Sequence, residues 1–247
     1  MAKNDTLAAG DPAAYQAAEA AAGSHAHRLN SLRAAVLGAN DGIVSTAGIV
    51  IGVAGATSES FAILTAGIAG LTAGALSMAV GEYVSVSAQR DTEVALLEKE
   101  RRELEEMPEE ELAELAGLYE EKGLTPELAL EVAKQLHEHD ALAAHAETEL
   151  GIDPNALTSP WVAAVSSAVA FTIGSALPLI AIMLGPADLK IPVTVTAVAA
   201  ALVLTGYLSA RAGETPVPRA ILRNVAGGLL AMGVTYWIGR LVGHTLG

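Results

Sequence analysis

Nearly all the net charge of this chain lies in one internal stretch. Between Arg90 and Asp153 stand 20 of its 28 acidic residues and 6 of its 14 basic ones, so this stretch carries the whole formal charge of −14. The sequence on either side is close to neutral and rich in Gly, Ala, Val and Leu. A chain divided in this way does not bury both parts in one core. The charged part needs water, and the flanks, in a protein with 52% hydrophobic residues, are too apolar for an ordinary soluble domain.

Crossing a bilayer takes about 20 mostly apolar residues. Five segments qualify: residues 32–56, 61–87, 161–184, 191–209 and 217–246. Breakers separate them at Thr57-Ser58-Glu59, at Gly185-Pro186-Ala187-Asp188 and at Gly213-Glu214-Thr215-Pro216. Ser159-Pro160 opens the third span with a capping residue and a proline suited to the first helical position. Pro178 is expected to kink it, freeing a carbonyl. The pairs Gly38/Gly42, Gly48/Gly52 and Gly70/Gly74 permit close helix packing. The expected fold is an all-α membrane protein of five transmembrane helices, with a cytoplasmic three-helix acidic insert between the second and third.

Lys and Arg near the span ends set the orientation. Arg28, Arg33, Arg90, Lys99, Arg101, Arg102, Arg211, Arg219 and Arg223 fall on one side, and only Lys190 and Arg240 on the other. The N-terminus and the acidic insert are therefore expected in the cytoplasm, and the C-terminus outside. The expected divisions are a cytoplasmic arm at 1–30, spans one and two at 31–88, the acidic insert at 89–156, and spans three to five at 157–247. The arm has no basic region leading into an apolar core, so no signal peptide is expected. The cell (inner) membrane is the expected location.

No Pro or Gly interrupts the chain from Glu82 to Met107, which predicts that span two continues as one long helix. Pro108 opens a second helix ending at Gly123, and Thr125-Pro126 opens a third capped at Gly151. Leu112, Leu115, Leu118 and Tyr119 form an apolar stripe on the second. Leu128, Val132, Leu136 and Leu142 do so on the third.

There is no cysteine. Metal chemistry, if present, therefore runs on carboxylates, imidazoles and thioethers, a set suited to Mn²⁺ and Fe²⁺. Asp41 lies well inside the first span, where an ionisable group costs a few kcal/mol or more unless it faces a cavity or a partner. Met78 and Glu82 are one turn apart on the second span, setting a soft and a hard donor on one face. In the insert, Glu100 and Glu103 are spaced i,i+3, and Glu111 and Glu114 repeat the spacing on the next helix. Two such pairs, if a helical hairpin brings them together, can hold one or more divalent ions. The third helix adds His137, His139, Asp140, His145, Glu147 and Glu149. Any single glutamate here also reads as part of a solvated acidic face.

With those residues in view, the chain resembles the vacuolar iron transporter family, as a bacterial-type member. The likeness covers residues 25–247 and is carried by LRAAVLGANDGIVST at 32–46, GALSMAVGEYVSVSAQRDTE at 74–93 and HAETELGI at 145–152. It implies a five-span homodimer that exchanges cytosolic Fe²⁺ or Mn²⁺ for protons, with Asp41 and Met78 on the ion path. It further implies metal gathered by Glu100, Glu103, Glu111 and Glu114, with Glu147, Glu149 and His145 as the third helix's candidates. The arm is too short for the ferritin-like domain that some members carry. No enzymatic activity, prosthetic group or nucleic-acid partner is expected; the partners are metal ions, protons and lipid. Two other readings compete. One is a membrane-tethered metal buffer or sensor, which needs no donors inside the membrane. The other is an intramembrane hydrolase using Asp41 and Glu82, for which no protease-like motif is present.

Overall fold

The computed structural model describes residues 35–246, and all regular structure among them is helical. The arm at 1–30 lies outside the described residues. Seven helices follow one another: α1 (Ala35–Ala56), α2 (Ser60–Glu106), α3 (Pro108–Glu121), α4 (Pro126–His145), α5 (Pro160–Leu184), α6 (Lys190–Ala212) and α7 (Val217–Leu246). Of these, α1, α2, α5, α6 and α7 are long and apolar enough to cross a membrane. At 47 residues, α2 is about 70 Å long, more than twice the roughly 30 Å of a bilayer's hydrocarbon core. The chain divides into two compact units. Among the described residues, one comprises those up to Ala79 and those from Val165 onward, the other Val80–Ala164.

The first unit is built around α1. Half of the apolar window of α1 is buried, against 11% of that of α2. Ile43, Ala47, Val50 and Ile51 of α1 meet Ile63, Ile182, Val198, Leu202 and Met232 from the other four long helices. Glycine makes the closest approaches possible. A Cβ at Gly174 would overlap the carbonyl of Ala39, and one at Gly239 that of Gly52. Helix α5 continues through Pro178, which is fully buried. Nearby, Ser175 Oγ donates to the Gly42 carbonyl at 3.2 Å.

The second unit takes its helix starts from proline. Pro108 and Pro126 each occupy the first turn of their helix, where a missing N–H costs nothing. Gly123 (φ 101°) turns the chain between α3 and α4. Leu115, Ala116, Ala133 and Ala144 form the core, with Leu112, Tyr119 and Leu136 packed against it. Of the expected stripe on α4, Leu136 packs on this core, but Leu128 is 49% exposed, and Ala129 and Ala133 are fully buried. Small side chains on that face let α3 and α4 come close, which leucines would prevent.

Helix α4 also departs from a single rod. Asp140 has extended dihedrals (φ −160°, ψ 95°) within it, and its Oδ1 accepts the N–H of Ala143 at 3.0 Å. Asp140 thus caps the start of a second helical segment. That segment passes into a π turn at Ala146–Leu150, ended by Gly151 in the left-handed region (φ 66°).

Candidate metal centre

Three buried polar residues meet in the second unit. Glu100 comes from α2, Glu111 from the first turn of α3, and His145 from the last turn of α4. One donor atom from each lies within 4.8 Å of the others. Nδ1 of His145 is 2.9 Å from Oε1 of Glu100 and 3.5 Å from Oε2 of Glu111. His145 is wholly buried, and the two glutamates are 3% and 5% exposed. Despite these approaches, neither His145 nitrogen nor Glu100 Oε1 has a hydrogen-bond partner. Buried polar atoms are rarely left unsatisfied. Here one oxygen of each glutamate and one nitrogen of His145 stand within 4.8 Å of one another, close enough to share a cation.

Further carboxylates act on the trio. Burial pushes the Glu100 carboxyl up to about 7, helped by the negative charges of Glu149, Glu111 and Glu103 and opposed by Lys99. Glu111 is raised by burial, then by Glu114, Glu103 and Glu149. Glu149 is raised by burial, then chiefly by Glu114. His145 is lowered by burial and by the neighbouring His137. Burial and crowding of like charge thus favour the neutral form of these acids, and burial favours the neutral form of the imidazole beside them. Lys99 pairs with Glu103 at 2.6 Å at the exposed edge.

Local sequence explains the convergence. The spacing of Glu100 and Glu103 repeats in Glu111 and Glu114 across the break at Met107-Pro108. The π turn after His145 brings Glu149 into the same electrostatic cluster, and such turns recur at functional sites. Glu147 is exposed on the same turn and does not enter the trio. His139 is exposed, and Asp140 serves as the cap.

In the first unit, Asp41 and Met78 line one open cavity of about 580 Å³. They share it with Asn40, Arg223 and Asn224. Asn40 Oδ1 accepts from Thr205 Oγ1 at 3.0 Å and from Asn224 Nδ2 at 3.3 Å, tying α1 to α6 and α7. A second cavity, of about 520 Å³, is lined by Thr57, Ser58, Asp188, Lys190 and Tyr236. Asp41 and Thr57 are about 24 Å apart along the axis of α1, and the apolar core around Ala47, Val50 and Ile51 lies between them. Glu82 is half-buried on α2, within the second unit.

The model of the VIT family matches residues 32–240. The chain belongs to the VIT family. It is 44% identical over 211 residues to the "Vacuolar iron transporter" of Acanthamoeba castellanii, covering 85% of this chain and 78% of that one. It is 38% identical over 217 residues to "Vacuolar iron transporter homolog 5" of Oryza sativa subsp. japonica, covering 87% and 82%. "Vacuolar iron transporter homolog 4" of Arabidopsis thaliana is 36% identical over 220 residues, covering 89% and 87%. Membership of the VIT family makes this chain a membrane transporter and not an enzyme. The matched span contains both the buried trio and the Asp41 cavity.

Arg223 and Asn224 of this VIT-family chain line that cavity, whereas the sequence marks Arg223 only for orientation. The available signal was a charged-polar pair inside the apolar run at 217–246, which costs free energy unless it faces a cavity.

Proposed function

We propose that this protein exports divalent transition metal, Fe²⁺ or Mn²⁺, from the cytosol in exchange for protons. The acidic unit collects the ion, and Asp41 and Met78 carry it through the membrane. The observation that carries this reading is the buried trio of Glu100, Glu111 and His145, in which Glu100 Oε1 and both His145 nitrogens have no hydrogen-bond partner, in a chain whose relatives are named iron transporters. Oxygen and imidazole nitrogen suit Fe²⁺ and Mn²⁺. In this reading Glu103, Glu114 and Glu149 complete the ligand set and its charge, and Glu147 stands outside it. Glu82, one turn beyond Met78, is a further donor for an ion leaving Met78.

The proton side of the exchange is supported by the raised carboxyl of Glu100: an ion that binds there displaces protons. Alternating access is supported by the two cavities near the ends of α1, separated by apolar packing. The asymmetry of Lys and Arg supports placing the N-terminus and the acidic unit in the cytoplasm; the cell membrane is the membrane proposed. A homodimer agrees with the exposed apolar surface of α2 and α7, part of which a second copy would cover.

Reconstitution into liposomes tests the reading. With the interior acidic, external Fe²⁺ or Mn²⁺ should accumulate inside while the interior loses protons. Metal that binds to the protein without entering would overturn transport and leave a membrane-tethered buffer.

A further inference from the structure

The reading above leaves His137 unused, and its surroundings give it a role. Neutral imidazole carries one N–H and one lone pair. If Nδ1 of His145 turns its lone pair to Glu100 and Glu111, the proton sits on Nε2. That Nε2 is buried and partnerless. The ring of His137 lies against the ring of His145, centroids 5.8 Å apart and planes at 79°, and Nδ1 of His137 is likewise buried and partnerless. With Nδ1 of His145 given to the carboxylates, each of the two adjacent rings has a further buried nitrogen without a partner, and that of His145 has a proton to give.

We propose that His137 is the positioning residue of the centre, its Nδ1 accepting the Nε2–H of His145 and so holding the Nδ1 lone pair of His145 on the ion. This rests on the reading of the trio as a metal centre. An N–H···N bond of about 3 Å between two imidazoles sets their centroids roughly 5 Å apart. The observed separation thus closes with a shift of under about 1 Å. Ligating histidines commonly donate their second N–H to such a partner, which fixes tautomer and ring orientation.

The chain builds this pair on purpose-made geometry. Residues eight apart on a straight α-helix are separated by about 12 Å along its axis, too far for their rings to meet edge-on. The extended dihedrals of Asp140 and its cap on Ala143 break the helix between the two histidines and allow the approach. His137 is not itself a ligand of a second centre. Among the described residues, Glu100, Glu111 and His145 are the only group of three such donors close enough to share an ion.

Cobalt binding to the purified full-length protein tests the role. Co²⁺ gives visible absorption bands that change when an imidazole nitrogen coordinates it. The signal of the centre is the part that Glu100→Gln removes. His137→Leu, which has no acceptor, should weaken that component about 10- to 100-fold and alter its bands. His137→Asn, whose amide oxygen stands near the place of Nδ1, should stay within about threefold of the parent, with circular dichroism unchanged in both variants. Parent-like binding by His137→Leu overturns the proposal, as does an equal loss in both variants, which would mean simple packing. If the parent shows no Co²⁺ signal sensitive to Glu100→Gln, the centre itself is misread and the role of His137 falls with it.

Discussion

Nδ1 of His145 stands 2.9 Å from Oε1 of Glu100 with no hydrogen bond between them, both atoms being buried. With the Nδ1 lone pair turned to Glu100, two acceptors face each other and repel unless a cation or a proton lies between. The relation ties the stability of the acidic unit to what occupies that point, and the first two predictions follow from it.

Replacing Glu100, Glu103, Glu111 and Glu114 together by Gln should abolish metal binding in the acidic unit while leaving slow flux through the membrane helices. The metal-free protein should be no less stable than the parent, since mutual repulsion is relieved. The parent should gain about 2.7 kcal/mol at a metal concentration 100 times Kd, and the variant should gain nothing at that site. Thermal unfolding with and without Mn²⁺, at low and high salt, decides the matter. Stabilisation that disappears in high salt in the parent marks a screened ion atmosphere and not a formed site.

The pH dependence has a definite sign. The folded-state pKa of Glu100 is raised from 4.5 to about 7, so the folded chain holds a proton that the unfolded chain has released. Its contribution to stability is therefore most favourable below about 4.5, declines as pH rises toward 7, and stays low above. His145 works in the opposite sense: its lowered pKa removes stability as pH falls below 6.5. Metal binding relieves the repulsion on Glu100 but must first displace its proton. Apparent affinity should accordingly rise from pH 6 to pH 8, with protons released on binding. Calorimetry in two buffers of different ionisation enthalpy measures that release, and a flat profile would count against the site.

Asp41→Ala should stop flux in liposomes while leaving the protein folded, because it removes the one carboxylate among the described residues that line the cavity with Met78. Wild-type flux in a folded variant would remove Asp41 from the ion path.

Met78→Leu conserves volume and should cost under about 1.5 kcal/mol. Loss of the thioether should weaken Fe²⁺ and Co²⁺ transport more than that of Mn²⁺, the harder ion. Equal responses from all three would make Met78 a packing residue.

Gly174→Ala places a methyl on the carbonyl of Ala39 and should cost about 1–3 kcal/mol or more, lowering the unfolding temperature in detergent. Gly81→Ala meets nothing within 4 Å and should stabilise α2 by up to about 1 kcal/mol. If both behave alike, helix propensity and not close packing governs these positions.

The sequence by itself determined the long helices. Apolar runs of membrane length and prolines at the first turn act locally, so their effect does not depend on what packs against them. Pro108 and Pro126 mark the starts of α3 and α4, and nothing breaks α2 from Ser60 to Glu106. The i,i+3 pairs of glutamates were legible for the same reason, since a helix fixes which side chains share a face. Other features were decided only by tertiary structure. The buried face of α4 is Ala129 and Ala133 and not Leu128, because closeness of approach to α3 outweighs the burial of a larger side chain. The break at Asp140 has no marker stronger than one aspartate in an acidic helix, yet it brings His137 beside His145. Arg223 and Asn224 join Asp41 across more than 180 positions of sequence, and only the packing of α7 against α1 places them in one cavity. Local rules set the helices. The grouping of donors within each unit depends on long-range packing, which no spacing along the chain encodes.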